Sequence, residues 1–190
     1  MKIGCVVLAS GESVRFGGNK LLTPFRGKPM LAHLLLALPQ TLDTVVVTRS
    51  EGVQTLARAM GCRCILHREP EVRDTIRIGL EALADTDGCL FCVGDQPLLT
   101  RGTIQAVLAD FEANPQHIVR AAYAGREGNP AVFPRALYGE LTALREGEAG
   151  VTVMRRRTAI TRTVEAAFAE ELTDVDTPDT LLMLEALKQY

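Results

Sequence analysis

Arg15 and Lys20 are two cations set on an unusual stretch, Leu8-Ala9-Ser10-Gly11-Glu12-Ser13-Val14-Arg15-Phe16-Gly17-Gly18-Asn19-Lys20. An apolar run over residues 3–8 leads straight into it and reads as a buried strand. Three glycines, two serines and an asparagine make the stretch a loop whose backbone can approach a ligand closely. Backbone amides with two fixed cations, on a glycine-rich turn at a strand end, suit a polyphosphate. The loop matches neither common nucleotide fingerprint. Asn19 precedes Lys20 and Leu21 follows it, so the Gly-Lys-Ser/Thr of a Walker loop is missing. Gly11, Gly17 and Gly18 also have the wrong spacing for G-x-G-x-x-G. The alternative is an ordinary glycine-rich turn carrying two solvated charges.

Two further polar loops carry chemistry. Gly94-Asp95-Gln96-Pro97-Leu98-Leu99-Thr100 follows the apolar run 89–93. A carboxylate at the carboxyl end of a parallel strand lies where open α/β sheets bind ligands. The residue before a proline avoids helical angles, so Asp95 is expected on a rigid turn rather than inside a helix. A plain turn role for Asp95 is the competing reading. Pro70-Glu71-Val72-Arg73-Asp74-Thr75 opens a helix expected over 76–83, with Asp74 or Thr75 as its cap. A helix N-terminus with a hydroxyl can hold a base edge or a phosphate while the cap is in place.

The elements that must position these loops alternate between strand and helix from end to end, the pattern of an α/β fold with a largely parallel sheet. Pro29 is a good first residue for a helix over 29–38 that is apolar nearly all round. The β-branched run 44–48 reads as a central strand, followed by a helix over 51–60 and a strand over 62–66. Thr100 is expected to cap a helix over 102–112. Segments 118–123 and 131–133 look like strands bracketing a loop at 125–130; with no helix between them they should pair antiparallel. A helix over 134–144 and a short one over 149–157 come next. Arg155-Arg156-Arg157 closes the latter, either to complement the helix dipole or to contact an anionic substrate. A late strand over 161–165 precedes Asp174-Val175-Asp176-Thr177-Pro178-Asp179, and Pro178 starts a helix reaching Lys188.

Composition excludes several classes. The chain has 190 residues, 47% hydrophobic and 23% charged, which suits one soluble globular domain over 1–190. A net charge of −2 gives no basic field to recruit nucleic acid, and the absence of tryptophan argues against stacking platforms. No apolar run approaches the roughly 20 residues that span a bilayer, and a cytoplasmic location is the expectation. Cys5, Cys62, Cys64, Cys89 and Cys92 are then expected to be reduced and mostly buried. Cys89 and Cys92 have redox-pair spacing but should point to opposite faces of a strand. Cys62 and Cys64 could join them in a thiolate metal site only if the two strands met end to end.

With the loops in view, the chain resembles the MobA-like nucleotidyltransferases, and within them the molybdenum-cofactor cytidylyltransferase branch. Four stretches carry the likeness, in order: Leu8-Ala9-Ser10-Gly11-x-Ser13-x-Arg15-Phe16-Gly17 with Lys20; Asp74-Thr75-Ile76 with Gly79-Leu80; Gly94-Asp95-Gln96-Pro97-Leu98; and Asp174-Val175-Asp176-Thr177-Pro178-Asp179. The resemblance implies a Rossmann-like, three-layer α/β/α nucleotidyltransferase fold (GT-A-like), its sheet mostly parallel with a small antiparallel excursion. It implies that Arg15 and Lys20 hold the phosphates of a nucleoside triphosphate, and that Leu8, Ala9, Ser10 and Gly11 line the nucleotide. Thr75 would lie near the base. Asp95 and Asp176 would hold a divalent ion, Mg²⁺ or Mn²⁺, with Asp174 the lesser candidate for the second ligand.

The activity implied is transfer of CMP from CTP to a molybdopterin-type phosphate, with release of pyrophosphate and a transient contact with a molybdoenzyme or its chaperone. Such an acceptor is already an anion, so no strong general base is required; His33, His67 and His117 fall outside every motif. What the reaction does need is neutralised charge on the α-phosphate and the leaving group. Two departures from the branch bear on the acceptor. Gly128-Asn129-Pro130 stands where the branch has Gly-His-Pro, and Gly147-Glu148-Ala149-Gly150-Val151-Thr152 lacks the arginine of Gly-Asp-x-Gly-Ala-Arg, a charge that Arg155 could replace. Rival readings are a guanylyltransferase using GTP, transfer to a sugar or alditol phosphate, and a non-catalytic nucleotide-binding regulatory domain.

Overall fold

The computed structural model describes residues 1–11, 13 and 16–187. Arg15 and Lys188 therefore lie outside the described residues. The chain runs β1 (Ile3–Ala9), a hairpin of β2 (Pro24–Phe25) and β3 (Lys28–Pro29), α1 (Met30–Ala37), β4 (Asp43–Thr48), α2 (Glu51–Ala59) and β5 (Arg63–Leu66). It continues through α3 (Val72–Ala82), β6 (Gly88–Val93), α4 (Arg101–Ala113), β7 (Ile118–Tyr123) and β8 (Arg126–Pro134). The last elements are α5 (Tyr138–Thr142), α6 (Gly150–Arg156), β9 (Thr161–Glu165) and α7 (Pro178–Ala186).

Seven strands form one sheet in the order β5-β4-β1-β6-β8-β7-β9, and only β8 runs against the others. Period-2 alternation along the central strands separates two cores. Cys5, Val7, Val46, Leu90 and Cys92 face α1, α2 and α4. Val6, Val45, Val47, Cys89 and Phe91 face α3, α5 and α6. The result is three α/β/α layers. Chain order makes the carboxyl ends of β1 and β6 a switch point: from β1 the chain goes out to β4 and β5, then returns on the other side to β6. Open α/β sheets bind ligands at such a crevice.

Helix α3 seals one side of the switch point because Gly79 has no side chain. A Cβ built there would lie 2.6 Å from both methyls of Val6 on β1. Gly79→Ala must push α3 off the sheet. Overpacking of this severity costs about 3 kcal/mol, and the better helix propensity of alanine offsets about 1 kcal/mol. A net loss of about 2 kcal/mol is expected, read as a melting temperature lower by about 4–8 °C. An unchanged or higher melting temperature would show that α3 is not held this close.

Several local expectations need correction. Segment 125–130 is not a loop. A turn at Ala124 and Gly125, both at positive φ, joins β7 to β8, and residues 126–134 form one long strand paired with β7 and β6. Pro134 ends that strand, so the expected helix 134–144 shrinks to a 3-10 turn over Arg135–Leu137 and the short α5. Pro29 does not open α1; it pairs with Pro24 in the hairpin, and Met30 begins the helix. Helix α3 starts earlier than expected, at Val72, with Glu71 at its N-cap, so neither Asp74 nor Thr75 caps it. Thr100 does cap α4, accepting from the Thr103 amide at 3.2 Å. The five cysteines are free thiols, and β4 and β1 stand between β5, which carries Cys64 and directly follows Cys62, and β6, which carries Cys89 and Cys92.

Candidate functional site

Lys20, Asp95 and Asp176 meet at the carboxyl ends of β1 and β6. Lys20 begins a 3-10 turn, Lys20–Leu22, whose cap is Asn19: its side-chain oxygen accepts from the Leu21 amide at 3.1 Å. Leu21 turns into the core at 4% exposure and carries Lys20 inward with it. The turn can come this close because Gly94 follows β6; a Cβ there would lie 3.3 Å from both Leu21 and Leu31. The Gly94 amide donates to the Leu8 carbonyl at 3.0 Å, extending the β1–β6 pairing and fixing the backbone on which Asp95 stands. The Lys20 ammonium then donates to Asp95 at 2.5 Å and to Asp176 at 2.8 Å, over separations of 75 and 156 residues.

The segment carrying Asp176 is pinned from beneath. Val175 is fully buried, and its amide donates to the Asp95 carbonyl at 2.9 Å. In extended chain, residues two apart share a side, so Asp174 and Asp176 both turn toward β6. Asp174 is held differently from Asp176: it accepts from the side-chain amide of the buried Gln96 at 2.9 Å. Burial, then repulsion from Asp95, pushes the Asp174 carboxyl above its ordinary value, against the opposing pull of Gln96. Burial pulls the Lys20 ammonium down, but Asp95 and Asp176 together outweigh it and the net shift is upward. Lys20 therefore stays charged throughout the neutral range, in direct contact with Asp176, whereas Asp174 is engaged by Gln96.

Beside this cluster lies a cleft of about 300 Å³ lined by Leu8, Ser10, Gly11, Thr75, Asp95 and Asp174. It continues past Ser10 and Gly11 into a hollow of about 380 Å³ bordered by Ala9, Arg49 and His67. Leu8, Ala9, Ser10 and Gly11 thus line these two adjoining spaces, and Lys20 stands next to them through its contact with Asp95, whereas Phe16 packs against the cluster that includes Phe25 and Met30. Thr75 is buried in the first turn of α3.

Arg49 and His67 were not singled out by their sequence. Both follow directly on the carboxyl ends of strands, β4 and β5, and that position was the available signal. Arg49 Nε donates to the Ser10 carbonyl at 3.1 Å. His67 Nε2 lies 2.8 Å from Ser10 Oγ and 3.5 Å from Thr75 Oγ1. Ser10 has one hydroxyl proton; directed to the Val47 carbonyl, 3.2 Å away, it leaves the oxygen free to accept from His67 Nε2–H.

Burial, then the Arg49 guanidinium, holds the His67 imidazole below its ordinary 6.5, against weaker pulls from Asp74 and Glu69. The unfolded chain therefore takes up a proton at a pH where the folded chain does not. The stability supplied by neutral His67 is complete above 6.5 and declines as the pH falls below that value. Melting curves taken between about pH 7.5 and about pH 5 should fall more steeply for the wild type than for His67→Gln. Equal slopes would place the titration elsewhere.

Comparison with known proteins follows the same lines. A family profile described as MobA-like NTP transferase domain matches residues 5–164. Bifunctional protein GlmU of Staphylococcus epidermidis is 27% identical over 125 residues, covering 62% of this chain and 28% of that protein. The 8-amino-3,8-dideoxy-manno-octulosonate cytidylyltransferase of Shewanella frigidimarina is 30% identical over 122 residues, covering 60% of this chain and 49% of that protein. The matches thus span between about a quarter and a half of these relatives' lengths. Among solved structures, Rv0371c of Mycobacterium tuberculosis superposes with a TM-score of 0.82 at 25% identity, covering 99% of this chain and all of that one. The mycobacterial protein has also been solved as a manganese complex, which superposes with a TM-score of 0.74 at 23% identity, covering 98% of this chain and 100% of that one.

Proposed function

The chain belongs to the MobA-like NTP transferase domain family, and from that premise we propose that it transfers CMP from CTP to a molybdopterin-type phosphate and releases pyrophosphate. The observation that carries this reading is the convergence of Lys20, Asp95 and Asp176 beside a cleft walled by Ser10, Gly11 and Thr75. An acceptor phosphate oxygen attacks the α-phosphorus. The bond from that phosphorus to the oxygen bridging to the β-phosphate breaks, and pyrophosphate leaves with the electron pair. No proton need be removed, so the site requires positioned charge rather than a strong base.

The donor set fits a hard divalent ion. Mg²⁺ prefers oxygen ligands and is usually held by one or two carboxylates together with substrate phosphates. Asp95 and Asp176 flank one point, now taken by the Lys20 ammonium. Among the described residues no group of three or more His, Cys, Asp or Glu side chains could hold a metal by itself, and water and substrate phosphate oxygens would complete the shell. When bound, Mg²⁺ or Mn²⁺ would neutralise charge on the α-phosphate and on the leaving pyrophosphate. With the ion between the two carboxylates, Lys20 would give up that point and supply a second positive charge beside it, and Arg15 is assigned the phosphates with it. The amides of Ser10 and Gly11 receive the phosphate chain. Leu8, Ala9 and the Thr75 hydroxyl border the base, with His67 fixing Ser10.

CTP is favoured by the likeness to the Shewanella cytidylyltransferase. The same likeness supports a second reading in which a sugar derivative replaces molybdopterin as acceptor. The test supplies each of the four nucleoside triphosphates with magnesium and follows pyrophosphate release, with and without molybdopterin or sugar phosphates. Release with CTP that depends on molybdopterin is the expected result. Release driven only by a sugar phosphate overturns the acceptor, and release with none of them overturns the transferase reading.

A further inference from the structure

Beyond Leu8, Val72 and Val93 the cleft runs on into an apolar recess of about 210 Å³ between the sheet and helices α5 and α6. Phe91, Phe133, Leu141 and Met154 wall it, the two phenyl rings meeting edge to face at 5.7 Å between centroids. At its far end Arg120 opens both into this recess and into a trough of about 460 Å³ shared with Glu127 and Arg155.

Arg120 is out of place for a structural residue. It stands in the middle of β7 with its side chain only 9% exposed, where the strand's other residues are small or apolar. Its Nη1 donates to Glu127 at 2.8 Å and its Nε to the Gly128 carbonyl at 3.2 Å; among the described residues its other donors have no partner. Burial pulls the guanidinium down and Glu127 restores only part of that. The Glu127 side chain is 53% exposed, and a carboxylate so well solvated holds a cation weakly. A short way off, Arg156 pairs with Glu148 and Arg157 with Glu140. Arg155, alone of the three, has no ion-pair partner among the described residues and lines the same trough as Arg120.

We propose that Arg120 anchors a second oxyanion of the acceptor, at the end remote from the reacting oxygen, with Glu127 as the placeholder it displaces and Arg155 as the second cation. This rests on the transferase reading above. The acceptor is then a small molecule with a flat or apolar body and two oxyanionic ends; molybdopterin, with its single phosphate, is not one, so the inference goes with the second acceptor reading above rather than the first. One end reacts beside Asp95, the body lies against Phe91 and Phe133, and the far end takes the guanidinium fork in the geometry that arginine offers a carboxylate or phosphate.

Pterin-6-carboxylate, a fluorescent flat ring with one carboxylate, is the probe, and unsubstituted pterin is its control. Both are titrated into the protein with CTP and magnesium present, and CTP binding is followed by calorimetry in the same variants. The wild type should bind the carboxylate about tenfold or more tightly than pterin, as a charge-assisted contact requires. Arg120→Gln and Arg155→Ala should remove most of that preference, and Glu127→Gln should increase it. If Arg120→Gln fails to fold, the two exposed positions decide the matter. CTP bound normally with no preference for the carboxylate, or with neither compound bound, overturns this inference and leaves the transferase reading intact. Absence of CTP binding in the wild type overturns that reading instead.

Discussion

Asp95→Ala is expected to lower the rate of pyrophosphate release by on the order of 10²–10³, the usual cost of losing a principal charge contact at a phosphoryl centre. Asp95 joins three parts of the site. Its carboxylate takes the Lys20 ammonium, its carbonyl receives the Val175 amide, and its neighbour Gly94 continues the β1–β6 pairing. Alanine removes only the first of these, because the other two are backbone bonds. The fold should therefore survive, with far-ultraviolet circular dichroism unchanged, while the point flanked by two carboxylates keeps only Asp176. Turnover close to wild type in Asp95→Ala would remove this carboxylate from the reaction and take the proposed ion site with it.

Lys20→Ala should cost as much in rate, and it has a second signature that does not depend on turnover. Removing the ammonium leaves Asp95, Asp176 and the nearby Asp174 facing one another with no cation between them. Like charges at such range resist ionisation and oppose folding. A divalent ion binding the folded state relieves this, and its effect on stability grows with the ratio of its concentration to its dissociation constant. Magnesium should accordingly raise the melting temperature of Lys20→Ala more than that of the wild type, in which Lys20 already occupies the point. An equal response in the two proteins would show that the carboxylates do not share an ion.

The sequence carried much of this in local form. The apolar runs of β1, β4 and β6 are long, β-branched or continuous, and flanked by glycine and polar turns, so strand identity and the parallel α/β class could be read from them directly. The loop around Ser10 and Gly11 and the turn at Asp95 were legible for the same reason, since their chemistry is contained in a few adjacent residues. Reading failed where a tertiary partner overrode local preference. Residues 126–130 look like a loop because they hold two charges, a glycine and a proline, yet β7 on one side supplies ladder partners that make them strand. Residues 134–144 look helical, but Pro134 is still engaged with Gly88 across the sheet and delays the helix.

The sequence by itself determined the parallel α/β class and marked Lys20 and Asp95 as chemically suggestive, because periodicity, turn chemistry and charge type are properties of neighbouring residues; Asp176 was marked only by the family resemblance. Only the tertiary structure decided that these three side chains share one point, that His67 and Arg49 border the hollow beside Ser10 and Gly11, and that Arg120 meets Glu127 at a second cleft. Those are distances between residues up to 156 positions apart, and what sets them is which strand lies beside which in the sheet.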